Sequence, residues 1–417
     1  MRFSIVHAAD LHLDSPLVGL ERYEGAPVAE LRSATRRALA NLVQLCLDED
    51  AKLLLLAGDL YDGDWKDYST GLYFASQLAR LREVGTRVVW IRGNHDAQSK
   101  ITKHLALGEH CTELATKKPE TVLLDPLDVA VHGQGFATAA VSEDLSERYP
   151  PPIAGALNFG LLHTALGGRR GHASYAPCDA SALALRGYDY WALGHVHQSE
   201  VVQAEPYIVF PGNLQARHVR ETGAKGAMLI TVEDGAIQSV RPRALDVVRF
   251  AQVEVDVSEA RGLGEAAELT EQRLIAERAQ SDGRLLCARV HLSGRSRAHA
   301  ELAREAERTE SELRARAHEH DVWVEGVKVA TDHPYDVKAL AAREDATGQL
   351  VRTLRMLDEK PSARGELMDE LRKLERSLPH EVSLSALGID LSDERSTQAL
   401  IQDVGRMLLP RVAGGEP

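Results

Sequence analysis

The first half of the chain repeats one pattern: a short unbroken apolar run, a polar cluster, then an amphipathic stretch. Residues 2–9 read as a buried strand and end at Asp10, Leu11 and His12. Alternation along that strand end sets Asp10 and His12 on one face. Leu31, Ala34, Thr35, Ala38, Leu42 and Leu45 recur at helical spacing, so 28–49 is a predicted amphipathic helix. Residues 52–57 are a leucine-rich strand that runs into Gly58 and Asp59. A helix is predicted over 66–84, then a strand over 87–91 that ends in Gly93, Asn94, His95 and Asp96, with another helix after it. None of these strands alternates polar with apolar residues, which is the mark of a sheet covered on both faces.

Beyond that point the predicted strands are shorter: 121–125, 128–132 and 158–162, the last ending at His163. Tyr149 and the three prolines after it read as a surface loop, and 167–172 as a flexible basic loop. A strand over 188–193 leads into Gly194, His195, Val196 and His197, and strands at 207–210 and 226–232 close this half. Composition shifts near 242–246. The order strand 248–257, helix 262–280, strand 284–293, helix 297–318, strand 321–330 predicts a small α/β domain with its own sheet. From 335 onward the pattern is helical, interrupted at Pro361, Pro379 and Gly388. Three regions are therefore expected: 1–244, 245–332 and 333–417.

Composition narrows the class. The 417 residues are 44% hydrophobic and 27% charged, an ordinary globular balance. No run approaches the ~18 apolar residues that span a bilayer, and the N-terminus has no signal-peptide pattern. Cys46, Cys111, Cys178 and Cys287 are scattered, which suits a reducing cytoplasm and excludes a disulfide framework. The net charge of −13 rules out global attraction to nucleic acid. Contacts to phosphates would have to be local. Arg169, Arg170 and His172 follow His163, while Arg217, His218, Arg220 and Lys225 follow His197. These are candidate DNA-phosphate contacts, or ordinary solvated loop charge.

The chemistry lies in five clusters at strand ends: Asp10 with His12, Asp59, Asn94 with His95, His163, and His195 with His197. They supply two carboxylates, one amide and five imidazoles, and no thiolate. That mixture suits manganese, iron or zinc. It is also enough for two ions roughly 3.5–4 Å apart, an arrangement that activates water and clamps both oxygens of an in-line phosphoryl displacement. Each piece has a plainer alternative. Asp59 could cap a helix, and Asp96 could either orient His95 or cap the helix that follows. His7, His104 and His132 read as non-ligands, and Tyr188, Tyr190 and Trp191 as core.

The ordered set Asp10-x-His12, Gly58-Asp59-x-x-Asp62, Gly93-Asn94-His95-Asp96, His163 and Gly194-His195-x-His197 resembles the calcineurin-like metallophosphoesterase superfamily. In order and spacing it is most similar to the DNA repair exonuclease branch, the SbcD-type nucleases. Residues 10–16 and 212–226 resemble its bacterial YhaO-like subgroup. The resemblance implies an α/β fold: a two-sheet β-sandwich flanked by helices, with an α/β capping domain and a helical C-terminal region. It implies that Asp10, His12 and His197 hold one metal, that Asn94, His163 and His195 hold the other, and that Asp59 bridges them. His95 would act on the scissile phosphate with Asp96 beside it. The cofactors would be two divalent ions, with manganese ahead of iron or zinc. Partners would be DNA, a coiled-coil SbcC-like ATPase and a second copy of the chain, with no membrane.

The function expected is a cytoplasmic two-metal DNA phosphodiesterase, an exonuclease of repair or end processing. The alternative is a metallophosphatase or phosphodiesterase acting on nucleotides or other small phosphoesters. A scaffold subunit without activity would have no need of seven ligands.

Overall fold

The structure is a computed structural model that describes residues 1–15, 27–62, 68–98, 107–168 and 175–377, with short pieces between 397 and 409. The chain divides into two compact units. One comprises Met1–Val253, Gln272–Val290 and Arg314–Gly326; the other comprises Glu254–Glu271, His291–Leu313 and Val327–Pro417.

The first unit is built on two six-stranded sheets. The first joins β1 (Arg2–Ala8), β2 (Ala51–Ala57), β3 (Arg87–Ile91) and β4 (Cys111–Glu113) in parallel, and adds β11 (Gly226–Glu233) and β12 (Ala236–Ala244) antiparallel beside β1. The second sheet is ordered β5 (Glu120–Leu124), β6 (Val129–Gly133), β7 (Leu157–His163), β8 (Tyr190–Gly194), β10 (Tyr207–Phe210), β9 (Glu200–Ala204). Its middle strands, β6, β7, β8 and β10, are parallel.

The unbroken apolar runs follow from where these sheets lie. In β1, Ile5 faces the other sheet and packs with Phe159, Leu161, Tyr190 and Ile230, while Val6 faces the opposite way. On that outer side lie α1 (Val28–Asp48) and α2 (Tyr68–Arg82), which contribute Leu39, Leu42, Val43, Phe74 and Leu78. The second sheet is covered likewise, with Leu162, Trp191 and Phe210 packed against Leu183 of α4 (Ala180–Ala184). Both faces of each central strand are dry, so neither set of alternate positions can be polar. Gly160 is required by this packing, since a Cβ there would lie 2.4 Å from the Trp191 ring. A short α3 (Asn94–Gln98) follows β3.

Three edge strands escaped the sequence pattern: β4, β9 and β12. Each is polar and at best half-buried, as an edge with one neighbour permits. Tyr149 also departs from expectation. Its ring is buried, and its hydroxyl donates to Leu161 O and accepts from Gln134 N, so it pins the loop rather than lying on the surface.

A third sheet consists of β13 (Val248–Asp256), β14 (Leu285–Arg295) and β15 (Val322–Asp332), with α5 (Leu263–Ala279) between the first two. The helix expected over 297–318 is broken into α6 (His299–Arg304) and α7 (Ala306–His318), because Glu305 leaves helical geometry. Then come α8 (Val337–Ala342), α9 (Ala346–Glu359) and α10 (Pro361–Ser377), the last opening on Pro361 as proline at a helix start allows. The interruptions expected at Pro379 and Gly388 lie outside the described residues. No described helix is long and apolar enough to cross a membrane.

Phe159 is fully buried between the sheets, whereas Leu185 is 88% exposed. Urea denaturation of the Phe159→Ala variant should show a loss of about 3–5 kcal/mol. The Leu185→Ala variant should stay within about 0.5 kcal/mol of the parent.

Candidate metal centre

Parallel strands deliver their ends to one edge. Beyond β1 and β2 the two chain segments run side by side, with Asp10 N donating to Gly58 O, His12 N to Asp59 O and Leu13 N to Leu60 O, each at 3.0 Å. Asp10 (φ 52°), His12 (φ 42°), Asp59 (φ 52°) and His195 (φ 99°) all take left-handed backbone. This costs a non-glycine residue of order 1–3 kcal/mol. Asp10 and His12 therefore reach the site through a strained turn, not through strand alternation. Gly93 makes the crowding possible. A Cβ there would lie 2.2 Å from Asp59 Oδ1 and 2.8 Å from His163 Cε1.

The turns bring two groups together: Asp10, His12 and His197, and Asp59, His163 and His195. Within each group the candidate ligand atoms lie within 4.8 Å of one another. Asp59 Oδ2 stands 3.4 Å from His163 Nε2 and 4.0 Å from His12 Nε2, so it faces both groups. Asn94 Oδ1 lies 3.1 Å from His163 Nε2. His12 Nε2 and His197 Nε2 stand 3.2 Å apart. All of these residues except His197 are buried.

Tautomers decide what these contacts mean. His163 Nδ1 lies 2.8 Å from Ala57 O, a bond that takes the one N–H of a neutral ring. His197 Nδ1 is likewise committed to Glu221 Oε1 at 2.7 Å. In the neutral rings Nε2 then carries a lone pair aimed inward. Lone pairs of His163, Asn94 and Asp59 meet with no proton between them, and the inward lone pair of His197 faces His12 Nε2 at 3.2 Å. Two cations satisfy this donor set, and the outward N–H bonds hold the rings in the ligating orientation.

Without metal, protons substitute in part. Burial opposes charge on His163, but the nearby Asp59 and Asp10 carboxylates outweigh it and raise its pKa to about 9. Burial would raise Asp59, yet the His163 imidazole, with His12 and His95, holds it well below the usual carboxylate range. Asp10 is pushed up to about 6 by burial, against the pull of His197 and His163.

His95 stands apart. Its side chain is 37% exposed and its Nδ1 lies 2.9 Å from Asp62 Oδ1. That hydrogen bond raises the His95 pKa, with burial opposing and Asp59 adding to the rise. Asp62 also accepts from Ser15 Oγ and stands 3.6 Å from His12 Nδ1. His12, Asp62 and His95 cluster as tightly as the other groups, but here the close contact is the hydrogen bond between His95 and Asp62.

Asp96 neither orients His95 nor sits where it could act on a substrate. It is fully buried, and its oxygens accept from Leu60 N, Tyr61 N and Gly93 N at 2.9–3.0 Å. It braces the Asp59 turn against the Gly93 turn. Asp59 does something close to capping as well, since its Oδ1 accepts from His95 N at 2.9 Å in the first turn of α3.

The basic candidates separate. Arg217 is only 17% exposed and lies against Asp62 and Glu221. His218 and Arg220 are exposed on the same segment. Lys225 is buried and its Nζ donates to His197 O at 2.8 Å, which makes it a brace of the loop. Arg169, Arg170 and His172 lie outside the described residues.

Sequence reasoning left Asp62 and Glu221 without roles. Asp62 had a signal in the Gly58-Asp59-x-x-Asp62 spacing. Glu221 had none, because its partners His197, Asn213 and the Arg217 backbone meet it only in the fold.

Residues 3–199 match the family model of calcineurin-like phosphoesterases. Residues 250–332 match that of the middle domain of metallophosphoesterase YhaO. The uncharacterized metallophosphoesterase YhaO of Bacillus subtilis (strain 168) is 33% identical over 295 residues, 70% of this chain and 72% of that protein. A solved dimetal phosphatase from Danio rerio is 11% identical, covering 56% of this chain and 93% of its own, with a TM-score of 0.32.

Two outcomes follow from the tautomer argument. Glu221→Gln should weaken metal affinity by about 10–100-fold, measured by calorimetric titration. Chelation should lower the melting temperature, by more the tighter the metal binds, because the ions bind only the folded chain. An unchanged melting temperature would contradict the centre described.

Proposed function

The chain belongs to the calcineurin-like metallophosphoesterases, and on that basis we propose that it is a manganese-favouring DNA phosphodiesterase, an exonuclease of end processing. Members of the family bind a dimetal centre, and the residues that would hold it here are Asp10, His12 and His197, and Asn94, His163 and His195, with Asp59 between them. Two bound ions supply an activated water and charge stabilisation for displacement at phosphorus.

The chain's own groups do the rest. Asp62 engages His95 through Nδ1, which leaves Nε2 of this partly exposed ring for the substrate. The Asp62 hydrogen bond favours the protonated ring, the form that can deliver a proton to the leaving oxygen. Manganese suits the mixed carboxylate, amide and imidazole set.

The observation that supports DNA as substrate is the placement of Arg217, His218 and Arg220 on one segment that packs against the His197 turn through Glu221. Arg217 reaches the rim, while His218 and Arg220 are exposed beside it. Such a row contacts successive phosphates without reading sequence, which a net charge of −13 makes necessary. The proposal includes a coiled-coil ATPase as partner for the C-terminal helices, where α9 leaves Met356 42% exposed.

End-labelled single- and double-stranded DNA, incubated with the purified chain and manganese, should be degraded. His95→Ala should slow this by about 100- to 10,000-fold, and Asp59→Ala should abolish it. Degradation that survives both changes, or hydrolysis confined to bis(4-nitrophenyl) phosphate, would overturn the nuclease assignment.

A further inference from the structure

Arg217 is a largely buried cation held only in long contacts to Asp62, Glu221 and His197. Its nearest polar neighbours are His197 Nδ1 at 3.5 Å from NH2, Glu221 Oε1 at 3.6 Å from NH2 and Asp62 Oδ2 at 3.6 Å from NH1. Its Nε is buried with no hydrogen-bond partner. A guanidinium carries five N–H donors in a planar fork, and leaving buried donors unmet is costly. Two other arginines of this unit are held differently. Arg36 grips both oxygens of Asp14, and Arg249 bonds Asp246 and Asp282. The Arg217 guanidinium is therefore held by contacts of 3.5–3.6 Å and by no shorter one.

What holds it is its main chain. Arg217 N donates to Glu221 Oε2 at 2.7 Å, and Glu221 is itself locked by Asn213 Nδ2 at 2.9 Å and by His197. The side chain lies between Asp62, which holds His95, and Glu221, which holds His197. The two carboxylates beside it are already committed to imidazoles. An incoming phosphate oxygen could replace these 3.6 Å carboxylate contacts with closer ones to the fork.

Resting on the phosphoesterase reading above, we propose that Arg217 is a substrate-binding residue whose fork takes non-bridging oxygens of the scissile phosphate. It then acts on every phosphoester the site accepts, and is more than a contact along a DNA backbone. A planar fork matches two phosphate oxygens, which an ammonium cannot do.

The test uses the full chain loaded with manganese, comparing the parent with Arg217→Lys and Arg217→Ala. Metal stoichiometry should be unchanged in both. The kcat/KM for bis(4-nitrophenyl) phosphate and for DNA should fall together, by on the order of 100-fold. Orthophosphate binding, followed by calorimetry and independent of turnover, should weaken in both variants. Free guanidinium should restore part of the activity of Arg217→Ala and leave the parent unaffected. Unchanged orthophosphate affinity, loss of metal from Arg217→Lys, or a fall confined to DNA would overturn the inference. If the parent hydrolyses the small ester and not DNA, the nuclease assignment fails while the Arg217 arms still decide this one.

Discussion

Everything in the first unit answers to the problem of crowding lone pairs in a dry place. Asp10 and Asp59 are buried carboxylates, and the imidazoles around them turn nitrogen lone pairs toward the same small volume. Such an arrangement is repulsive unless positive charge fills it. Protons do this partly, as the high proton affinity of His163 shows. Two divalent ions do it fully. The site is thus built around charge that the chain itself does not carry.

A frame must hold groups that repel one another. Here it comes from backbone geometry and from buried polar anchors. Four of the clustered residues are kept in left-handed conformations, and the adjoining loops are tied through main-chain bonds. Asp96 fastens two of the turns with three amide bonds. Glu221 and Lys225 fasten the His197 turn. None of these three touches the volume where a metal or phosphate would lie, yet each fixes an atom that does. Two sheets packed face to face supply the rigid base, since their parallel strands all end at one edge.

The division between ligand and positioning group explains why the sequence was informative about one and silent about the other. A ligand follows a buried strand directly, so its place is marked by the apolar run before it. Asp10, Asp59, Asn94, His163 and His195 are all marked in this way. A positioning group is chosen by the far side of a ring. Glu221 stands 24 residues from His197, and Asp62 stands 33 from His95, a separation with no periodic trace. Asp96 misled for the same reason. Its neighbour in sequence is His95, but its oxygens face the opposite way.

Hydrophobic periodicity and cluster order by themselves determined the buried parallel strands, the helices that cover them and the family to which the chain belongs. These are local or near-local properties, because burial on both faces writes itself into consecutive residues. Only the tertiary structure decided the edge strands, which need a single neighbour and so tolerate polar residues. It alone decided that Asp62 rather than Asp96 serves His95, and that Arg217 lies at the rim while Lys225 is spent on a carbonyl. Each of those outcomes depends on which way a side chain points once distant segments meet, and residue order does not encode that direction.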